Sequence, residues 1–333
     1  MDPVEALREI AFWLERSRAE AYRIAAFRRA ADVVADMTGE ERAAYRAEAW
    51  MSVPDIGIEA AAIVRECDRS TPPYLTYLRG AAEPIGLGGT ELVDALRGDL
   101  HTHSNWSDGR CALEEMMRRA ADLGHEYCAV TDHSQRLSVA NGLSPEQVLA
   151  QLNAVAELNA ELAPFRVLTG IEVDILDDGS LDQDDDLLAD LDIVVASVHS
   201  HLNGDRATTT KRMLQAVRSP HVDVLGHCTG RIVDGERTRP ESKFDAERVF
   251  DACREYGTAV EINARPERRD PPSRLIDLAL NSGCVFSIAT DAHTAGHLAW
   301  QGYACERAAE RGVEPSDVVN TLPVDELLEW TRM

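Results

Sequence analysis

Lysine is almost missing from this chain. Only Lys211 and Lys243 occur among its 333 residues, and every other fixed positive side chain is an arginine. Positive charge is scarce overall, since 34 Lys and Arg face 58 Asp and Glu and leave a net charge of −24. This charge disfavours sequence-independent affinity for nucleic acid unless a local basic patch overcomes the repulsion of the phosphates. It suits a protein that concentrates cations.

Long apolar runs and paired cysteines are also missing. No run of about 18 apolar residues is present, and the acidic start MDPVEALREI lacks the basic and apolar regions of a signal peptide. Membrane insertion and secretion are therefore disfavoured, and we expect a cytoplasmic protein. The seven cysteines include no CxxC pair, which favours buried, reduced thiols over a disulfide framework.

The texture of the chain changes near residue 85. Up to that point, apolar residues recur at spacings of three and four, as in VEALREIAFWLE, AEAYRIAAFRRAADVVADM and EERAAYRAEAW, which predicts a small all-α domain over residues 1–84. From residue 85 to 333, seven short apolar runs alternate with helical segments. This alternation predicts an α/β domain with a parallel sheet, closed into a (β/α) barrel or left as an open doubly wound sheet.

Polar side chains follow each apolar run. The run GDL ends in His101 and His103, which lie two residues apart and would therefore project from one face of a strand. The other six runs likewise end in, or lead to, Asp132–His133, Glu172, His199, His227, Asn263 and Asp291–His293. Because the loops after the strands of such a barrel build one site, these groups are expected to converge at its mouth and bind metal.

These residues resemble the polymerase and histidinol phosphatase (PHP) domain family, in particular the PHP domain of bacterial family X DNA polymerases. The resemblance covers roughly residues 97–325, and its motifs occur in the family order: DLHTHSNWSDG, VTDHS, GIEVDI, ASVHSH, GHCTGR, EIN and TDAH. It implies a distorted (β/α)7 barrel and a cluster of three divalent metal ions, described for the family as zinc or manganese. Mixed nitrogen and oxygen ligands without thiolate admit zinc, manganese or iron.

The resemblance also implies a ligand set. One ion would be held by His101, His103, Glu172 and Asp291, a second by the bridging Glu172 with His199 and His227, and a third by Asp108, His133 and His293. Glu172, Asp291 and His201 are the predicted catalytic residues. Arg231, Arg265 and Arg268 are predicted to bind the substrate phosphate. Ordinary surface arginines, and for His201 an ordinary loop histidine, are an equally open interpretation. Ligands and ions together leave a positive charge for hydroxide and substrate anions to balance, which favours a phosphoester.

The first eighty residues resemble the small helical domain that opens family X DNA polymerases, including AYRIAAFRRAADVV and a helix-hairpin-helix-like turn VPDIG. No polymerase palm lies between this segment and Gly98, so template-directed synthesis is not expected. The family hairpin has glycine where Asp55 stands, and no lysine is available for a Schiff-base lyase. The segment is expected either to contact DNA ends through Arg23, Arg28 and Arg29 or to act only as a helical cap or dimerisation element.

The sequence thus predicts a metal-dependent phosphoesterase that uses metal-activated hydroxide. Its substrates would be phosphomonoesters or nucleic-acid 3′ ends, as in a phosphatase or a 3′–5′ exonuclease. Histidinol phosphate is an alternative substrate, and a non-catalytic module that binds DNA ends or supports a larger assembly is an alternative function. The physiological substrate, the metal loaded in the cell and the oligomeric state are not fixed by the sequence.

Overall fold

The structure is a computed structural model that describes residues 1–45, 49–235 and 237–332. The chain divides into two compact units, Met1–Pro84 and Ile85–Met333. The helices of the first unit are α1 (Pro3–Arg16), α2 (Ala21–Asp36), α3 (Gly39–Ala44), α4 (Ile58–Cys67) and α5 (Pro73–Ala81). The helix predicted within EERAAYRAEAW is observed as α3, and its residues 46–48 lie outside the described part of the chain.

The first unit is held together by apolar helix faces. Asp2 caps α1, because its carboxylate accepts hydrogen bonds from the backbone N–H groups of Val4 and Glu5 at 2.9 and 3.1 Å. Leu7 and Ile10 of α1 and Phe27 of α2 are buried in one core with the apolar side of α4. The spacing of these residues by three and four along each helix produces that face.

The second unit contains seven parallel strands in the order in which they occur along the chain. They are β1 (Gly98–Asp99), β2 (Tyr127–Val130), β3 (Arg166–Asp174), β4 (Ile193–Ser197), β5 (Val224–Leu225), β6 (Ala259–Asn263) and β7 (Phe286–Ala289). The helices are α6 (Thr90–Ala95), α7 (Leu113–Asp122), α8 (Pro145–Leu162), α9 (Asp185–Leu188), α10 (Arg206–Val217), α11 (Ala246–Tyr256), α12 (Ser273–Ser282), α13 (Gln301–Ala309) and α14 (Val324–Trp330). The predicted α/β barrel with seven strands is confirmed.

The first and last strands meet through side chains as well as backbone. His103 donates its backbone N–H to the Ala292 carbonyl at 2.7 Å, just beyond the ends of β1 and β7. Within the span of the strands, the Asn320 amide donates to the carbonyls of Gly98 in β1 and Ile288 in β7, at 2.8 Å each. It also accepts a hydrogen bond from the Ile288 N–H at 3.0 Å. The side chain of Asn320 therefore replaces part of the missing β1–β7 ladder. This distorted closure excludes the open doubly wound sheet.

Alternation along the strands separates the barrel interior from the outer helical layer. Leu168 of β3 and Val195 of β4 belong to one apolar cluster, which also includes Leu327 of α14. Ile171 of β3 belongs to a second apolar cluster, which includes residues of α10 and α11. Leu168 and Glu172 share one face of β3 because they are four residues apart. The apolar interior thus ends where the polar side chains begin, at the carboxyl ends of the strands.

None of the helices formed by the described residues has the length and apolar character needed to cross a bilayer. All seven cysteines are buried thiols, and no disulfide joins any of the described residues.

Candidate metal centre

The nine predicted ligand residues lie close together at the carboxyl ends of the strands, and Glu172 is at their centre. Its Oε2 atom lies 3.4 Å from His101 Nε2 and 3.6 Å from His103 Nε2. Its Oε1 atom lies 3.3 Å from His199 Nε2 and 2.9 Å from His227 Nε2. With His133, whose Nδ1 lies 2.8 Å from Oε2, five imidazoles surround a carboxylate that has almost no access to solvent.

Asp108 forms a second point of convergence. Its Oδ1 atom lies 3.5 Å from His133 Nε2 and 3.4 Å from His293 Nε2. Asp291, which adopts a positive φ of 53°, places Oδ1 3.4 Å from His103 Nε2. A non-glycine residue in that left-handed region is uncommon and is often found at a functional site.

The polar atoms of this cluster fit metal ions better than they fit one another. Apart from the shorter contacts of Glu172 with His227 and His133, these separations are 3.3–3.6 Å, too long for a good hydrogen bond. Two ligands bound about 2.1 Å from one tetrahedral ion lie about 3.4 Å apart. The following buried atoms have no hydrogen-bond partner among the described residues: His101 Nε2, both ring nitrogens of His103 and of His199, Asp108 Oδ1, His133 Nδ1, His227 Nδ1, and both carboxylate oxygens of Glu172. Buried groups of this kind are costly unless a ligand satisfies them.

Three groups of these residues have ligand atoms within 4.8 Å of one another. They are His103 with Asp108, His133 and His293; His101 with His103 and Glu172; and His133 with Glu172 and His199. His133 differs from the predicted grouping, since its Nδ1 lies 2.8 Å from Glu172 Oε2 while its Nε2 faces Asp108. The imidazole of His133 therefore stands between the two carboxylates.

The electrostatics keep the central carboxylates ionised. Burial alone would raise the pKa of Glu172, but the neighbouring His199, His101 and His133 hold it well below its usual range. Burial likewise opposes ionisation of Asp291, and the Arg265 guanidinium holds its pKa well below the ordinary value. Anionic oxygens next to imidazoles are the hard and borderline ligands that zinc, manganese and iron accept.

Several residues that the sequence interpretation did not single out orient the predicted ligands. Glu261 Oε1 lies 2.6 Å from His101 Nδ1, and its Oε2 accepts the backbone N–H of His227 at 2.6 Å. Asp174 Oδ1 lies 3.3 Å from His199 Nδ1. A carboxylate behind a metal-binding imidazole fixes its tautomer and orientation. The sequence signal that could have identified Glu261 and Asp174 is a polar residue inside an apolar strand, two positions from a predicted site residue on the same face.

Comparison with known proteins agrees with this geometry. A family model for the PHP domain matches residues 99–265, which is half of the chain. The chain belongs to the PHP domain family.

Individual relatives of this PHP chain differ in length. The DNA polymerase/3′–5′ exonuclease PolX of Bacillus subtilis is 41% identical over 232 residues, which are 69% of this chain and 40% of that protein. This chain thus spans well under half of that relative. A probable phosphatase of Thermoanaerobacter sp. is 28% identical over 235 residues, covering 67% of this chain and 89% of that protein. Among solved structures, a histidinol phosphate phosphatase from Lactococcus lactis, complexed with zinc, L-histidinol and phosphate, matches 60% of this chain and 87% of its own, with 17% identity and a TM-score of 0.42.

The residues predicted to bind the substrate or move protons in this PHP chain occupy different surroundings. Arg268 Nε lies 3.2 Å from Asp291 Oδ2, and Arg265 Nη1 lies 3.5 Å from Asp291 Oδ1. Arg231 instead donates to the backbone carbonyls of Arg268 and Arg269, so its guanidinium fastens a loop.

His201 lies apart from the buried cluster. Its side chain is 74% exposed, and its Nδ1 lies 2.7 Å from Asp177 Oδ1.

The three arginines predicted to contact DNA in the first unit are not equivalent. Arg28 forms a two-pronged pair with the buried Glu15, through contacts of 2.5 and 3.0 Å, and this pair ties α2 to α1. Arg23 lies 3.4 Å from Glu59 and above the ring of Tyr74, whereas Arg29 is exposed. Asp55 has a φ of 64°, the left-handed conformation that the family glycine would adopt without strain.

Proposed function

We propose that this chain is a metal-dependent phosphoesterase that hydrolyses phosphomonoesters or the 3′ ends of nucleic acids. One observation supports this proposal above the others. Buried imidazole and carboxylate atoms converge at separations suited to shared metal ions, and they lack hydrogen-bond partners within the described part of the chain. Membership of the PHP family and relatives named as phosphatases and an exonuclease support the same chemistry.

The proposed site holds three divalent ions, of zinc, manganese or iron. His101, His103, Glu172 and Asp291 hold the first, Glu172, His199 and His227 the second, and Asp108, His133 and His293 the third. When bound, such ions lower the pKa of water, polarise phosphoryl oxygens and stabilise the leaving oxygen. Glu172 has the largest share in this arrangement, because its two oxygens face different sets of imidazoles.

The remaining residues bind the phosphate and manage the leaving group. Arg268 has a buried Nη1 without a hydrogen-bond partner among the described residues, while its Nε contacts Asp291 at the edge of the cluster. We propose that this N–H group and Arg265 bind two phosphoryl oxygens, as guanidinium groups do well. His201 is held through Nδ1 by Asp177, which leaves Nε2 to donate a proton to the leaving oxygen at the exposed rim.

A direct test measures metal content and hydrolysis in the same preparations. Purified protein replete with manganese or zinc is assayed with p-nitrophenyl phosphate, histidinol phosphate, and single-stranded DNA bearing a 3′-hydroxyl or a 3′-phosphate. We expect bound metal and turnover of the aryl phosphate and of at least one DNA end. Fewer than one metal per chain after reconstitution, with no turnover, would support the non-catalytic module instead. Turnover of histidinol phosphate alone would support the histidinol phosphatase alternative.

The variant Glu172→Ala separates the site from the fold. Removing both oxygens deprives two of the proposed ions of a ligand, so we expect loss of at least one metal per chain and a fall in turnover of about 10³-fold or more. The exposed Glu255→Ala near the end of α11 removes one carboxylate at the opposite end of the barrel and should change neither quantity. Near-normal turnover by Glu172→Ala would show that the bridging role is wrong.

A further inference from the structure

A groove between α10 and α11 has a charge opposite to that of the chain as a whole. It encloses about 400 Å³ and is lined by Arg206, Lys211, Arg218 and Arg248, with Asp245 as its acidic residue. We call these four cations and the space between them the basic groove. Its net positive charge is notable in a protein whose formal charge is −24.

Three of the four cations have no ion-pair partner among the described residues. Arg206 pairs with Asp245 at 3.3 Å. Within the described ranges, Lys211, Arg218 and Arg248 form no ion pair, and all three are exposed. Like charges held along one groove repel one another and are stabilised when an anion binds between them.

The basic groove begins at the same end of the barrel as the candidate metal centre. Arg206 is the first residue of α10, seven positions after His199, and a loop from the carboxyl end of β4 leads to it. Asp245 donates its backbone N–H to Thr210 Oγ1 at 2.8 Å, which holds the start of α11 against α10 at this end. Because the helix returns from the carboxyl end of one strand to the amino end of the next, α10 carries the groove away from the mouth of the barrel.

The length of the groove favours a long anionic ligand over a single phosphate group. Arg206 and Arg218 are twelve positions apart on a helix that rises 1.5 Å per residue, so they are separated by about 18 Å along its axis. A single phosphate group cannot contact both ends. A nucleic-acid strand can, because it places several phosphates along such a distance. Arginine and lysine are also the side chains that contact nucleic-acid phosphates most often.

We propose that the basic groove binds the sugar-phosphate backbone of a nucleic-acid strand whose end is hydrolysed at the candidate metal centre. The inference rests on the proposed phosphoesterase function and specifies its substrate as a polymer several nucleotides long. The overall negative charge of the chain disfavours nucleic-acid binding over most of its surface and favours binding along this track. A small phosphomonoester reaches the same centre without using the groove.

The test reverses two charges that are remote from the proposed ligands. The double variant Lys211→Glu and Arg218→Glu is compared with a control, Arg166→Glu and Arg311→Glu, which changes the net charge equally on other surfaces. All proteins are metal-replete. Hydrolysis of p-nitrophenyl phosphate and of a 5′-labelled 20-nucleotide single strand is measured, together with the dissociation constant of that strand by fluorescence anisotropy over a range of salt concentrations.

We expect the groove variant to lose roughly tenfold or more in kcat/KM and affinity for the 20-mer, and its salt slope to fall by about 1.4 because two phosphate contacts are lost. Turnover of p-nitrophenyl phosphate should stay within twofold, and the control should match the unmodified protein with both substrates. Equal affinity of the groove variant and the control for the 20-mer would overturn the proposal. So would a groove variant whose oligomeric state changes while its DNA affinity does not, because the groove would then bind another protein surface. If the unmodified protein hydrolyses nothing, the proposed function fails, and the anisotropy measurement still decides whether the groove binds a strand.

Discussion

The carboxylate of Glu261 provides the sharpest test of the candidate metal centre, because it contacts two proposed ligands without being one. Its side chain is buried, with Oε1 2.6 Å from His101 Nδ1 and Oε2 2.6 Å from the His227 backbone N–H. Asn263 Nδ2 also donates to Oε2 at 3.2 Å. Both oxygens thus act as acceptors. Glu261→Gln keeps the shape of the side chain and removes one of them.

In either orientation, the amide of Glu261→Gln fails to reproduce one of the contacts that the carboxylate makes. If its oxygen faces His101, its NH₂ group meets the N–H of His227, and an unsatisfied buried donor costs about 1–3 kcal/mol. If its NH₂ group faces His101, Nδ1 of that ring must accept a hydrogen bond. The proton of the neutral imidazole then moves to Nε2, the atom that faces Glu172 and the proposed ion. Loss of an orienting carboxylate of this kind typically weakens metal binding about 10–100-fold.

The measurement is a titration of the metal-free protein with zinc or manganese against a competing chelator, with circular dichroism to monitor the fold. The matched control is Glu126→Gln, which removes the same charge from an exposed carboxylate paired with Arg97. We expect the dissociation constant of at least one ion to rise about 10–100-fold in Glu261→Gln and to stay unchanged in the control. A folded Glu261→Gln protein that binds every ion as tightly as the unmodified chain would show that Glu261 does not orient these ligands.

Two further predictions concern stability. Burial raises the pKa of Asp223 to about 8. The folded protein therefore keeps a proton on this carboxyl that the unfolded chain releases near pH 4. The stability that this proton contributes is lost as the pH rises through 8. Asp223→Asn keeps the acceptor for the Val194 N–H. The stability of the variant relative to the unmodified protein should therefore increase by about 2 kcal/mol between pH 6 and 9, after allowance for partial exposure. Urea unfolding at several pH values measures this difference, and parallel curves of stability against pH would contradict it. Asn320→Leu leaves the Ile288 N–H without its acceptor, whereas Gln301 still donates to the Gly98 and Ile288 carbonyls, so we expect a loss of about 1–3 kcal/mol. Urea unfolding with an unchanged m-value checks this, and a loss below about 0.5 kcal/mol would show that the amide does not support the closure.

The sequence predicted the strands and the residues that follow them because both depend on short-range patterns. An HxH pair after an apolar run places His101 and His103 on one face of the chain wherever that run pairs in a sheet. Parallel strands then bring their carboxyl ends to the same rim. Residues that are distant in the sequence, such as Asp108 and His293, meet there once the order of the strands in the sheet is known. That order is the same as the order along the chain.

Loop residues were less predictable because their contacts depend on how the loops fold over the rim. Arg231 follows a strand as the site residues do, yet its guanidinium is taken up by backbone carbonyls of another loop. His201 repeats the HxH pattern with His199, but its backbone adopts a φ of 52° and the ring lies exposed beside Asp177. Two residues at the same spacing therefore share a face only where the backbone between them stays extended.

The same distinction explains why the orienting carboxylates were missed. Glu261 lies inside β6 among apolar neighbours, two positions before Asn263. That pattern alone does not say which groups a carboxylate contacts. Its role depends on the neighbouring barrel positions that bring His101 and His227 against its two oxygens. An ionised carboxylate is costly to bury unless several donors face it. Buried acidic residues that share a strand face with a predicted ligand or site residue are therefore candidates for positioning roles, and Asp174, two residues after Glu172 on β3, meets the same criterion by its contact with His199.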